Sequence, residues 1–224
     1  MGDTGDGALI ANGLSREIVR LCRRLAARGW VAACDGNVSA RLDDGRILIT
    51  PTGRYKSQIR AGDLAQMRLD GTVLAGEPSS EYPLHLAVYR RCPAARAVVH
   101  AHPPVATAWT VARPDLDELP VDCVAEVILG AGRIPFVEYA RPGSGAVARA
   151  VEPFLPDHRV LVLRRHGALA WGESGEEAFA GIDRLEHSAH MLMAAQALGG
   201  LTSLPQDEID VLRRMRRARG PRVL

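Results

Sequence analysis

His100-Ala101-His102 closes the apolar run Ala97-Val98-Val99, and His166 follows a second apolar run, Val160-Leu161-Val162-Leu163. Side chains alternate along a strand, so His100 and His102 share one face. A third imidazole at the end of a neighbouring strand completes a tripod. Three nitrogens with an open fourth position are the donor set of a catalytic zinc site rather than a structural one. Glu81, in Ser79-Ser80-Glu81, is the acid placed to fill that position at rest. Pro103-Pro104 stops the first run at once, which puts the pair at a strand-to-helix corner, where open α/β proteins carry their sites.

Three polar stretches have the composition of a phosphate site: Asp35-Gly36-Asn37-Val38-Ser39, Thr50-Pro51-Thr52-Gly53 and Glu77-Pro78-Ser79-Ser80-Glu81. Each alone reads as a turn. Together they offer backbone N–H groups freed by Gly, hydroxyl donors and a helix start at Ser79-Ser80. None is a P-loop or a Gly-x-Gly-x-x-Gly turn, so a nucleotide site is not expected. Lys56 is the only lysine. A Schiff base there would be a metal-free alternative, but Lys56 sits in a polar loop after Gly53 and the histidine route is preferred. Asp183, His187 and His190 are spaced to share a helix face and read as a solvated or packed face, with a second metal site as the alternative. His85, four residues after Glu81, reads as a core or supporting residue beside the site. His158 reads as surface.

The elements that must position these residues follow from period and punctuation. Ser15 to Gly29 carries an apolar stripe at helical spacing, with Ser15 as its cap and Gly29 as its end. Val38–Leu42 and Arg46–Thr50 flank Asp43-Asp44-Gly45, and Ala65–Leu69 and Thr72–Ala75 flank Asp70-Gly71, two hairpin signals. A helix from Ser79-Ser80 to Cys92, a strand over Ala97–His100 and a helix over Val105–Ala112 follow. Val124–Leu129 is strand-like, with a helix as the alternative. Gly143–Leu155 reads as loop then helix. Val160–Leu163 and Ala168–Trp171 are strands. Ser174-Gly175-Glu176-Glu177 has the capping-box pattern and opens the longest helix, and Pro205 opens a last one.

The 224 residues are 47% hydrophobic but only 4% aromatic, so the core must be built from Ala, Val, Leu and Ile. No run nears the ~20 apolar residues of a membrane span, and the polar start, Met1 to Gly7, does not resemble a signal peptide. Scattered Cys22, Cys34, Cys92 and Cys123 read as thiols of a reducing, cytoplasmic setting. The net charge of +2 with interspersed signs points away from nucleic acid and membrane. The basic run Arg213–Arg219 reads as a solvated helix face. Residues 1–224 read as a single domain, with the motifs between about 15 and 200 and a C-terminal helix and basic tail over 201–224.

Gly-Asn-Val-Ser, Ile-Thr-Pro-Thr-Gly, Ser-Ser-Glu, Val-Val-His-Ala-His, Tyr139-Ala-x-x-Gly143 and His-Gly-Ala-Leu-Ala-Trp-Gly occur in that order. In this series the chain resembles the class II aldolase and adducin-head family, and L-fuculose-phosphate aldolase among its members. The resemblance implies one three-layer α/β/α domain with a mixed, largely antiparallel sheet. It implies one Zn2+ per subunit on His100, His102 and His166, with Co2+ or Mn2+ as substitutes. Glu81 would ligate the resting metal and then act as general acid/base. Asn37, Thr52, Gly53, Ser79 and Ser80 would cradle the phosphate of a small sugar-phosphate substrate. Tyr139 would reach a neighbouring subunit's site as a proton donor, in a homotetramer with sites at its interfaces. The implied reaction is cleavage of a ketose 1-phosphate, either L-fuculose 1-phosphate or a 5-deoxy or 5-substituted pentulose 1-phosphate, to dihydroxyacetone phosphate and a small aldehyde. A sugar-phosphate epimerase, dehydratase or decarboxylase, or a non-catalytic adducin-like module, remain open; family epimerases carry Asp at the Glu81 position. Arg165 stands where such aldolases often carry Asn.

Overall fold

The computed structural model describes residues 4–220, 222 and 223. Short runs of β-branched and small apolar residues form β1 (Asn37–Arg41), β2 (Ile47–Ile49), β3 (Ala65–Met67), β4 (Val73–Ala75), β5 (Ala97–Ala101), β6 (Phe136–Val137), β7 (Val160–Leu163) and β8 (Gly167–Gly172). They join in one sheet, ordered β4-β3-β2-β1-β5-β8-β7-β6. All neighbours are antiparallel except β6 with β7. The expected mixed, largely antiparallel α/β architecture is the one found.

Helices cover both faces: α1 (Thr4–Ala27), α2 (Tyr82–Arg91), α3 (Pro104–Ala112), α4 (Ala125–Gly130), α5 (Gly145–Val151), α6 (Gly175–Ala197) and α7 (Gln206–Arg219). Strand alternation divides the core into two layers. Val38, Ala40, Val99, Ala168 and Ala170 pack under Leu21 and Leu25 of α1 and Phe179, Ile182 and Leu185 of α6. Ile47, Ile49, Val98, Leu161 and Leu169 pack under Leu84 and Val88 of α2 and Val147 and Val151 of α5. The small side chains of β5 and β8 let α6 lie close; a Cβ on its Gly181 would come within 2.9 Å of Ala170 Cβ.

Three sequence expectations are corrected. Ser15 does not start a helix: α1 runs on from Thr4, and Ser15 Oγ donates to the Ala11 carbonyl inside it, a local bond open to Ser in mid-helix. Val124–Leu129 is not a strand; α4 forms there because Val124, Val127 and Ile128 recur at helical spacing and bury Val127 and Ile128. Ser79-Ser80 is not a helix start, since α2 begins only at Tyr82, with Glu81 at the N-cap position. The edge strand β6 had no signal in its two residues.

The corner after His102 is secured by a residue that spacing did not reveal. Pro103 caps α3 and has no side-chain acceptor, while Pro104 has no N–H. The first two free donors, Val105 N–H and Ala106 N–H, go to Glu186 of α6, Oε1 at 3.0 Å and Oε2 at 2.8 Å. Glu186 is buried, so its carboxylate both caps α3 and is satisfied by it. Glu186→Ala should cost roughly 2–4 kcal/mol, a lost cap plus charge-assisted bonds. Urea unfolding checks this; a midpoint equal to the parent's would show that the cap contributes nothing.

Candidate metal centre

β5 ends in the sheet centre and delivers His100 and His102 from one face. The tight connection between β7 and β8 delivers His166 beside them. Gly167 permits this approach: a Cβ there would stand 2.5 Å from Ala101 O and 2.6 Å from His102 Cδ2. Gly36, at φ +70°, lets the next loop pass under β5, where a Cβ would stand 3.0 Å from His100 O. Arg165, beside His166, holds the left-handed φ of 56°. Asn tolerates that region better, so the Arg at this position affects the turn's backbone and not the donor set.

The expected donors converge. Glu81 Oε2 lies 3.2 Å from His100 Nε2, and Glu81 Oε1 lies 3.1 Å from His166 Nε2. His102 Nε2 is 3.1 Å from His100 Nε2, and one donor atom from each of the four lies within 4.8 Å of the others. His100 Nδ1–H donates to Ala168 O at 2.9 Å, which leaves Nε2 as the bare nitrogen. Asp35 Oδ2 sits 3.5 Å from His102 Nδ1 and favours the same tautomer there. Burial, with charge from His100 and His166, pushes the His102 imidazole down to about 4, so it is a neutral ligand at pH 7. Burial pushes the Glu81 carboxyl up, but hydrogen bonds and charge from His100 and His166 outweigh it and hold Glu81 below the ordinary carboxylate range.

The donor set fits a divalent cation. With their Nε2 atoms unprotonated, the three imidazoles and the Glu81 carboxylate are all acceptors, and they face one another at the cavity wall. Glu81 Oε1 and His166 Nδ1 are buried without a hydrogen-bond partner. A divalent cation at the centre would satisfy these acceptors together. Among the described residues this is the one group of such donors that converges. Asp183 pairs with Arg28 and His190 with Glu186 instead. His158 is half-buried, its Nδ1 3.4 Å from Arg133 O. Arg213 of the basic run pairs with Asp122, while Ile209 and Leu212 anchor α7.

A cavity of about 440 Å³ opens beside the donors. Asn37, Thr52, Gly53, Ser79, Ser80, Glu81, His102 and His166 all line it, with Cys34–Gly36, Pro51, Pro142 and Gly143. Two distant loops meet there through a bridge between Pro51 and Pro78, supported by Ser79 N–H to Thr50 O at 3.0 Å. Asn37 is more committed than expected: its Nδ2 donates to Glu81 Oε2 at 3.0 Å and its Oδ1 accepts from His85. Lys56 is buried, its Nζ donating to Cys34 O and Arg54 O at 2.7 and 2.9 Å; it ties two cavity loops together. Tyr139 is 58% exposed and does not line its own chain's cavity.

Residues 16–193 match the family described as Class II Aldolase and Adducin N-terminal domain. The chain belongs to the class II aldolase and adducin family. A 3-oxo-tetronate 4-phosphate decarboxylase from Escherichia coli O6:H1 is 33% identical over 193 residues, covering 84% of this chain and 89% of that protein. A methylthioribulose-1-phosphate dehydratase from Acidiphilium cryptum is 38% identical over 184 residues, covering 77% and 86%. A solved L-fuculose 1-phosphate aldolase has a TM-score of 0.80 at 25% identity, covering 89% of this chain and 94% of that one. Class II relatives of this chain thus include a decarboxylase, a dehydratase and an aldolase. Among the described residues no helix is long and apolar enough to cross a membrane.

His85 adds a pH dependence. Burial, with His100 adding to it and Glu81 opposing, pushes this imidazole from 6.5 down to about 3. Below pH 6.5 the unfolded chain takes up a proton that the folded chain refuses, so stability from this group is complete above 6.5 and falls as pH drops towards 3. The urea midpoint of metal-free protein should therefore be lower at pH 5 than at pH 7.5, and His85→Gln should flatten the slope. An equal slope in both proteins would contradict this.

Proposed function

We propose that this chain is a metal-dependent lyase that breaks a carbon–carbon bond next to a ketone and leaves dihydroxyacetone phosphate. The favoured reaction is decarboxylation of a phosphorylated 3-oxo acid of the 3-oxo-tetronate 4-phosphate type. The observation that carries it is Glu81, set between His100 and His166 at one end of a cavity whose other lining is hydroxyl- and glycine-rich. His100, His102 and His166, with Glu81 at rest, would hold a divalent cation, with zinc as the first choice for this donor set. When bound, that cation supplies the Lewis acidity that makes negative charge next to the ketone bearable at neutral pH.

The protein's own part is orientation and one proton. Thr52, Gly53, Ser79 and Ser80, with the second N–H of Asn37, hold the phosphate by neutral donors. Binding energy at that end sets the reacting carbons against Glu81. In decarboxylation the carboxylate leaves as CO2 with its bonding electrons staying on the adjacent carbon, and Glu81 passes that carbon a proton drawn from water. Only one proton moves at carbon. Aldol cleavage needs a second group to take the hydroxyl proton of the departing aldehyde, and among the described residues the one other carboxylate lining the cavity is Asp35, held towards His102.

Aldol cleavage of a ketose 1-phosphate is the second reading, favoured by the exposure of Tyr139. In a homotetramer a neighbour's Tyr139 would supply the missing proton carrier. The test is product analysis. Zinc-loaded protein is offered 3-oxo-tetronate 4-phosphate, L-fuculose 1-phosphate and methylthioribulose 1-phosphate, and dihydroxyacetone phosphate is measured with a coupled dehydrogenase. The proposal expects release from the first with kcat/KM at least 100-fold above the second. Turnover of methylthioribulose 1-phosphate alone, without dihydroxyacetone phosphate, would overturn it.

A further inference from the structure

Behind Glu81 the interface between β1 and α2 contains a line of polar side chains in an otherwise apolar layer. Asn37 and Ser39 are two apart on β1 and share the face turned to α2. Glu81, His85 and Tyr89 recur every fourth residue, down the side of α2 that meets them. Ser39, His85 and Tyr89 are at most 1% exposed. Tyr89 Oη is 2.8 Å from Ser39 Oγ, and Ser39 Oγ is 2.7 Å from His85 Nδ1. His85 Nε2 meets Asn37 Oδ1, and Asn37 Nδ2 is 3.0 Å from Glu81 Oε2.

The direction of every bond in this line is determined. Glu81 is an acceptor, so Asn37 must present its NH2 there and its carbonyl to His85. His85 must then donate from Nε2, and its neutral ring leaves Nδ1 as an acceptor. Ser39 gives Nδ1 its only hydrogen, so its oxygen accepts from the Tyr89 hydroxyl. Reversing any one member would set two acceptors or two donors together in a buried place, where an unpaired polar group is costly.

We infer that Tyr89, Ser39 and His85 form a one-way hydrogen-bond relay that fixes the Asn37 carboxamide and, through it, the Glu81 carboxylate. They are positioning residues, 37 and 81 being the only members in the cavity wall. The relay acts on the ligand geometry and is independent of which substrate bond is broken. A helix that served only to fill the core would need apolar residues at 85 and 89, as it has at Leu84 and Val88.

The test uses full-length, zinc-loaded, 15N-histidine-labelled protein at pH 7.5. His85 should appear in NMR as the neutral tautomer protonated at Nε2. Ser39→Ala removes the hydrogen that fixes this tautomer. It should mix the two tautomers and weaken zinc affinity, measured by chelator competition, by about 10- to 100-fold, the range for lost partners of ligating groups. Tyr89→Phe, which loses one oxygen and leaves Ser39 able to donate, should have a smaller effect in the same direction. A wild-type His85 protonated at Nδ1, or at both nitrogens, overturns the relay. So does a lowered melting temperature in the variants with zinc affinity and tautomer unchanged. Should the protein take up no zinc, the metal reading fails separately, and the tautomer measured on the same sample still decides the relay.

Discussion

Replacing His100 with Ala is expected to remove divalent metal from the protein and, with it, all measurable turnover. His100 is fully buried and links two other members: its Nε2 lies 3.2 Å from Glu81 and 3.1 Å from His102. Its Nδ1–H bond to Ala168 O ties the ring to β8, so the free protein holds the nitrogen ready and little ordering is needed on binding. The variant loses one of three imidazole donors together with its tether to β8, so His102, His166 and Glu81 are left around a gap and should hold zinc too weakly to retain it through dialysis. Metal analysis should fall from about one zinc per chain to background while the far-ultraviolet circular dichroism keeps its helical signal. Full zinc occupancy in the variant would remove His100 from the ligand set.

Glu81→Gln should have the second-largest effect and a different signature. The amide keeps the volume and one oxygen, so the fold and part of the metal affinity should survive. It cannot take up or release a proton, and a general acid/base group of this kind contributes about 100- to 10,000-fold. The loss should fall on kcat, with KM for the phosphorylated substrate little changed, because Thr52, Gly53, Ser79 and Ser80 are untouched. A variant with parental kcat would place the proton transfer elsewhere.

The donor set was legible in the sequence because its signals are local. His-x-His needs only strand alternation, and a histidine after an apolar run needs only that the run be a strand. Glu81 is legible only through the resemblance, since no local spacing ties it to the histidines. The two loops of the cavity were legible as composition, but their meeting rests on the bridge between Pro51 and Pro78, which no spacing announces. Glu186 was invisible for a similar reason: it caps a helix 80 residues away in sequence. The polar line behind Glu81 did leave a signal, Asn37 with Ser39 at period two and Glu81, His85 and Tyr89 at period four. Reading it required knowing that β1 and α2 face each other. Val124–Leu129 stays open between strand and helix in the sequence because six apolar-rich residues satisfy both periods, and the packing of Val127 in the main core and of Ile128 on α7 lies outside any local spacing.

Both the decarboxylase and the aldolase readings pass through one shared half-reaction, the exchange of a proton between Glu81 and the hydroxymethyl carbon of dihydroxyacetone phosphate. The direct test is therefore to incubate zinc-loaded protein with dihydroxyacetone phosphate in D2O and follow that carbon by proton NMR. One of its two hydrogens, and only one, should be replaced by deuterium, at a rate that falls at least 100-fold in Glu81→Gln and to the buffer rate once the metal is stripped. Fully metal-loaded protein that exchanges no faster than buffer would contradict this.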